Sequence, residues 1–196
     1  NDYVYVDLLQ GDPLIEPDQT SYKSVRLSKT YEFEPVPEGI DPKYILGGQA
    51  NLWSEKVYTI RQAEYMSFPR AWATADIYWS PKDSKNWDGF IRRMERHMER
   101  ADAGGCNYAR SAFDPIVTAS VKDGKLLAEV TSEVKGLDVY YTLNEAIPDT
   151  YTSRYTQPVE IPEGPVTMKA ITYRDGKPVG KMIVLSRAEL LKRAGK

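Results

Sequence analysis

The 196-residue chain contains a single cysteine, Cys106, and a single histidine, His97. One cysteine excludes an internal disulfide and any cysteine-rich metal centre, and one histidine excludes a multi-histidine zinc site. An excess of charge is missing too: 26 Lys and Arg stand against 28 Asp and Glu, for a net charge of −2. Nucleic-acid binders carry a basic stripe and membrane-surface proteins a basic amphipathic face, and the sequence has neither pattern. No apolar run approaches the roughly 18–20 residues that span a bilayer. The chain opens on Asn1-Asp2 without an initiator methionine, and no basic leader followed by a short apolar segment is visible. It therefore reads as a mature or excised piece. Phenylalanine is sparse, 4 residues against 14 Tyr and 4 Trp. That skew suits surfaces where rings stack on sugar C–H faces and a polar tip hydrogen-bonds, and it suits ordinary protein interfaces as well.

What is present divides into two halves of different periodicity. The length is compatible with one large domain or two small ones, and is enough to bury a core. Residues 1–115 mix strand and helix patterns. "YVYVDLL" at 3–9 and "YILGGQANLW" at 44–53 have strand composition. The intervening 10–44 is rich in Pro, Gly and Asp, and long connections of this kind are more often functional than accidental. A helical stretch is expected from about Thr59 to Trp79, with a kink or a break at Pro69. A longer helix is expected through "WDGFIRRMERHMERADAGG", where Trp87, Phe90, Ile91, Met94, Met98 and Ala101 keep helical spacing and Gly104 supplies a stop. From Ile116 the period becomes two, with hairpin turns at Asp123-Gly124 and Asp175-Gly176. Six or so short strands over 116–186 predict a small immunoglobulin- or fibronectin-like β-sandwich. Residues 187–196 predict a short terminal helix with Ser186 as N-cap.

Strand, long loop, strand and then helices is the order found at the end of a (β/α)8 barrel. Such a barrel needs about 250 residues and eight strands, and only two strands are legible here. The fold expected is thus α/β followed by all-β: the last part of a barrel over 1–115, then the sandwich over 116–186. Period-two alternation puts Trp53 and Glu55 on one side of their strand, and Tyr5 and Asp7 on one side of theirs. If the two strands are parallel neighbours, their carboxyl ends bring these four residues to a common mouth. Two rings and two carboxylates able to accept hydroxyl protons form a kit for gripping a neutral sugar. The other reading of the same spacing makes Trp53 core and Glu55 a solvated strand end.

The run "GGQANLWSE", "FPRAWATADIYWS" and "GCNYARSAFDP", in that order, resembles the end of the catalytic barrel of glycoside hydrolase family 20, the β-N-acetylhexosaminidases. "YVDLLQGDP" resembles the family's preceding Tyr-x-Asp strand, and "DVYYTLNEAIPDTYTSRYTQPVEI" is similar to the immunoglobulin-like domain often attached to bacterial members. The resemblance implies retaining hydrolysis without an enzymic nucleophile: the substrate's own 2-acetamido oxygen attacks the anomeric carbon, giving an oxazolinium intermediate. It implies that Tyr5 hydrogen-bonds the acetamido oxygen, that Trp53 walls the pocket, and that Asp7 and Glu55 hold the outer hydroxyls, mainly at C4 and C6. It also implies an Asp-Glu catalytic pair and a sugar-gripping Arg on earlier strands. No Asp-Glu dipeptide occurs anywhere in these residues. The chain alone is accordingly expected to be inactive, a C-terminal part of a hexosaminidase chitobiase-type hydrolase acting in carbohydrate metabolism. The alternative is a non-catalytic carbohydrate-binding or interaction module.

The remaining conspicuous residues have structural readings. Arg70 and Asp76 are expected in buried ion pairs, His97 at the surface or half-buried and satisfied, Cys106 as a small buried thiol, and Met94 and Met98 in the core. Tyr108 either lines the barrel mouth or packs, and the sequence leaves both open. No cofactor or metal is expected. The expected partners are N-acetylhexosamine glycans and the upstream part of the same barrel, with self-association through exposed barrel edges as a further route. No nucleic-acid partner and no membrane span are expected. The resemblance implies a periplasmic or outer-surface (secreted) location in a bacterium.

Overall fold

The strongest helical signal in the sequence is a helix in the computed structural model, which describes residues 2–16 and 23–195. The described chain falls into two compact units, residues 1–109 and 110–196.

In the first unit, among the described residues, three α-helices occupy the stretches whose apolar spacing is helical, and a fourth lies inside the long connection. Helix α1 is Leu27–Tyr31, α2 Ile60–Ser67, α3 Arg70–Trp79 and α4 Trp87–Ala103. Helices α2 and α4 start where a short polar side chain satisfies an orphan amide. Thr59 Oγ1 accepts from Gln62 N at 3.1 Å ahead of α2, and Asn86 Oδ1 accepts from Gly89 N at 2.7 Å ahead of α4. Pro69 breaks the predicted single helix into α2 and α3, and the Phe68-Pro69 peptide is cis. Gly104 caps α4, whose buried stripe is Phe90, Ile91, Met94 and Met98. Helix α1 lies in the connection read from sequence as loop, and part of that connection, 17–22, falls outside the described residues.

The two expected strands meet differently from a continuous ladder. Tyr5 pairs with Asn51 in a single parallel bridge, carried by Val6 N to Asn51 O at 2.9 Å and Asn51 N to Val4 O at 3.1 Å. A second parallel bridge joins Leu9 to Ser24. Parallel pairs are the weaker kind per residue and persist in sheets covered on both faces. Here Tyr44 is 71% and Leu46 fully exposed, so the described residues leave the start of the segment, on which the longer pairing would depend, largely uncovered.

The second unit is all-β as its period predicts. Strands β1 (Ile116–Lys122), β2 (Lys125–Thr131) and β5 (Val159–Ile161) form one antiparallel sheet. Strands β3 (Asp138–Thr142), β4 (Ser153–Arg154), β6 (Thr167–Arg174), β7 (Lys177–Pro178) and β8 (Ile183–Ser186) form the other. Both Asp-Gly turns place two residues at positive φ, 50° and 77° in the first and 51° and 71° in the second, as type I′ hairpins require. Helix α5, Arg187–Arg193, closes the chain with Ser186 Oγ accepting from Glu189 N at 3.2 Å.

The unit boundary falls a short way before Asp114-Pro115, because Phe113 and Asp114 are bound into the β unit. Thr172 Oγ1 donates to Phe113 O at 2.5 Å, and Lys181 N donates to Asp114 Oδ1 at 2.6 Å. Gly180 makes this close approach possible: a Cβ there would overlap Thr172 Oγ1 and lie 2.5 Å from Phe113 O and 2.9 Å from Asp114 Cα. Since two of those neighbours are backbone, Gly180→Ala is expected to destabilise this unit by about 1–3 kcal/mol. A urea midpoint unchanged by the substitution would contradict that packing.

Candidate functional site

The site is assembled where the first segment of the chain runs beside residues 51–55. Tyr5, at the bridge itself, presents its ring edge-on to Trp53, with centroids 6.3 Å apart and planes at 68°. Two residues on, Asp7 is 8% exposed, and its Oδ1 has no hydrogen-bond partner among the described residues. Burial is the main reason its carboxyl is pushed above the usual aspartate range; the charge of Glu55 pushes the same way, while its own backbone N–H and the Arg70 guanidinium oppose. Buried acceptors are normally satisfied, so an open carboxylate oxygen marks a place where something else supplies the donor.

Residues 54–57 form a turn closed by Val57 N to Ser54 O at 3.1 Å. The strand alternation expected to aim Trp53 and Glu55 together therefore stops at Ser54. Glu55 is exposed on that turn and still acts electrostatically on Asp7. Trp53 is 50% exposed, which is not the state of a core tryptophan within this chain. Upstream of it, Gly48 has no side chain and so admits the Tyr78 ring, whose hydroxyl donates to Gln49 O at 3.2 Å.

What holds the first segment in place is Arg70, the first residue of α3, with no exposed surface. Its guanidinium donates to Val6 O, Leu8 O and Met66 O at 2.8 Å each, to Val25 O at 3.1 Å and to Leu9 O at 3.5 Å. Two of those carbonyls, of Val6 and Leu8, flank Asp7. The guanidinium is thus held by a set of carbonyl acceptors, which suits a planar donor fork buried among chain ends. Asp76 forms an ion pair, with Arg93 Nη2 at 2.7 and 2.9 Å, but at the surface rather than buried as expected, and it accepts from Tyr31 Oη at 3.1 Å.

Two supporting residues carried no sequence signal. Gln10, 1% exposed, donates from its backbone N–H to Glu16 Oε2 at 3.0 Å, and from Nε2 to Phe68 O at 3.3 Å and to Tyr65 O. Thr30 Oγ1 donates to Tyr3 O at 2.7 Å. Of the other candidates, Tyr108 is 7% exposed, donates to Asp102 Oδ1 at 2.9 Å and packs on Trp72, which decides its reading in favour of packing. His97 is exposed, edge-on to Trp72 at 4.6 Å. Cys106 is only half-buried, its thiol held above the usual range mainly by burial. No helix among the described residues is long and apolar enough to cross a membrane.

Comparison with known proteins places this geometry in context. Residues 1–82 match the model of the glycosyl hydrolase family 20 catalytic domain, and residues 128–185 match that of the Fn3-associated domain. A β-hexosaminidase of Porphyromonas gingivalis is 30% identical over 178 residues, covering 86% of this chain and 22% of that protein. An N,N'-diacetylchitobiase of Vibrio harveyi is 25% identical over 187 residues, covering 73% of this chain and 20% of that protein. The solved family 20 β-N-acetylhexosaminidase of Streptomyces coelicolor A3(2) superposes with a TM-score of 0.50 at 25% identity, over 56% of this chain and 22% of that one. The chain thus spans about a fifth of the length of these relatives.

Proposed function

We propose, from a chain whose residues 1–82 belong to the glycoside hydrolase family 20 catalytic domain, that it supplies the sugar-holding wall of a β-N-acetylhexosaminidase. In this reading residues 1–115 are the last part of the catalytic barrel and 116–186 a sandwich attached to it. Tyr5 donates its phenol proton to the acetamido oxygen of a terminal N-acetylhexosamine. Trp53 walls the pocket against the pyranose ring. Asp7 and Glu55 accept protons from the outer hydroxyls, fixing the ring so that the acetamido oxygen can attack the anomeric carbon in line. The glycosidic bond breaks as a general-acid Glu protonates the leaving oxygen, and a neighbouring Asp steadies the acetamido nitrogen. This pair is supplied by polypeptide outside these 196 residues, which contain no Asp-Glu dipeptide.

The observation that carries the reading is the buried Asp7 carboxylate, with Oδ1 unpartnered, beside the Tyr5–Trp53 edge pair. The partners that follow are N-acetylhexosamine glycans and the earlier strands of the same barrel. Those strands would cover the apolar side chains that this unit leaves in water, Leu46, Tyr58 and Ile60 among them; a second copy meeting the same edges is the alternative cover. The place of action is the periplasm or outer surface of a bacterium.

The test is hydrolysis by the polypeptide that contains this chain together with the earlier strands. A 4-nitrophenyl N-acetyl-β-glucosaminide should be cleaved, and the matching β-glucoside should not, because it lacks the acetamido nucleophile. Equal cleavage of both would remove the substrate-assisted mechanism. Sugar binding with no cleavage of either would favour a non-catalytic carbohydrate-binding module instead.

A further inference from the structure

We infer that the β unit carries a second saccharide site, on the cleft formed by strands β3 and β4 and the connection between them. The inference stands on the β unit alone and does not depend on the reading of Tyr5 and Asp7. The cleft has a volume of about 580 Å3, and Tyr141, Thr142, Asn144, Tyr151, Thr152 and Ser153 line it, with one leucine and one alanine completing the wall.

Three observations point to a neutral polyol. First, no lining side chain is charged. Of the charged groups next to the cleft, Glu145 is paired with Lys169 at 3.3 Å and Arg154 with Asp138, while the Asp149 carboxylate accepts from Tyr151 N within its own loop. An anionic or cationic ligand would therefore find no uncommitted counter-charge in the lining.

Second, the lining holds unused hydrogen-bonding capacity beside two rings. The hydroxyls of Tyr141 and Tyr151, Asn144 Nδ2 and Ser153 Oγ make no hydrogen bond among the described residues. Tyr141 and Ser153 are direct cross-strand partners, so their Cα positions are fixed by the ladder. Phenols and amides around an aromatic face complement a pyranose, whose C–H face is apolar and whose rim is hydroxyl.

Third, the exposed ring is held by a rigid connection. The two most exposed large apolar side chains described in this unit, Ile147 at 72% and Tyr151 at 96%, both lie between β3 and β4. That connection is tied down along its length. Thr142 Oγ1 donates to Ala146 O at 2.7 Å, Tyr151 N to Asp149 Oδ1 at 2.9 Å, Asp149 N to Thr152 Oγ1 at 3.1 Å, and Thr152 Oγ1 to Asp149 O at 2.8 Å. Tyr151 is thus presented to water on a preorganised loop, and binding would require little further ordering of the backbone.

The probe is chitotetraose, an uncharged β-1,4-linked N-acetylglucosamine tetramer, titrated into the 196-residue chain and followed by 1H–15N NMR. Saturable shifts are expected at the amides of Asn144, Tyr151 and Thr152, and they should survive Trp53→Ala. Tyr151→Ala should weaken the binding about tenfold or more, Asn144→Ala should weaken it less, and Tyr151→Trp should restore it. The inference is overturned if a folded Tyr151→Ala chain binds unchanged, or if these amides do not move at saturating sugar. Shifts that follow protein concentration rather than sugar would make the cleft a contact between copies and overturn it too, as would equal binding of an acidic tetragalacturonate. Binding lost with Trp53→Ala but not with Tyr151→Ala would assign the sugar to the first site only. Failure of the aryl-glycoside test, by contrast, would leave this cleft standing.

Discussion

Arg70→Met should largely unfold the N-terminal unit under conditions in which the unsubstituted chain stays folded. The guanidinium is fully buried and donates to five carbonyls from three separate stretches of chain. Methionine fills much of the volume but offers no donor, so those carbonyls would lose the guanidinium while staying buried, with Leu9 O keeping the Val25 amide. Each such orphan costs about 1–3 kcal/mol before relaxation. Even with substantial rearrangement the loss should reach about 3–5 kcal/mol, which ranks among the largest single-residue effects and is a large share of an ordinary domain's stability. Arg70→Lys should fall between, because an ammonium keeps the charge but lacks the planar fork. Urea unfolding combined with amide hydrogen exchange at Val6 and Val25 checks this, since both amides are hydrogen-bonded and belong to the chain segments that Arg70 gathers. Unchanged protection at those two amides in Arg70→Met would show that the carbonyls are organised by something else.

Asp7→Asn should move stability and sugar handling in opposite directions. The Asp7 carboxyl is raised above its ordinary value chiefly by burial. A group whose folded pKa exceeds its unfolded one binds its proton more tightly in the folded chain, so stability declines as pH rises through that interval. At neutral pH the folded chain therefore carries the penalty of a buried charge, and an isosteric neutral amide removes it. The Asp7→Asn chain should melt higher at pH 7, with the gain shrinking as pH falls into the carboxylate range. In the longer hydrolase proposed above, the same substitution replaces a charged acceptor by a neutral one, and kcat/KM for an aryl N-acetylglucosaminide should drop roughly 10–100-fold. A destabilised Asp7→Asn variant with unimpaired turnover would reverse both signs and remove Asp7 from the site.

Much of this architecture was legible in the sequence because it rests on local physics. The Asp-Gly turns, the Asn86 and Ser186 caps, the break at Pro69 and the stripe along α4 each need only a few adjacent residues to be recognised. The pairing of Tyr5 with the Trp53 segment was legible for a different reason: two aromatic-bearing strand ends, ordered as in a known barrel. Other features depended on contacts distant in sequence. Nothing near Arg70 announces that its acceptors will include the carbonyls of Val6, Leu8 and Val25. Gln10 and Thr30 look like ordinary loop residues until the chain folds them against Phe68 and Tyr3. The continuous strands expected at 3–9 and 44–53 reduce to single bridges, because a parallel ladder draws its stability from neighbours on both sides. Glu55 left the expected alternation when Ser54 began a turn, a choice the strand composition before it does not encode.

The most direct measurement is saturation-transfer difference NMR on 4-nitrophenyl N-acetyl-β-glucosaminide mixed with the 196-residue chain, followed over hours in one tube. Saturation should reach the acetamido methyl and pyranose protons, should fall sharply with Trp53→Ala, and the glycoside should remain intact, because in the proposed reading this chain holds the sugar without the pair that breaks its bond. Release of 4-nitrophenol at an enzymic rate, or transfer untouched by loss of Trp53, would contradict that division of labour.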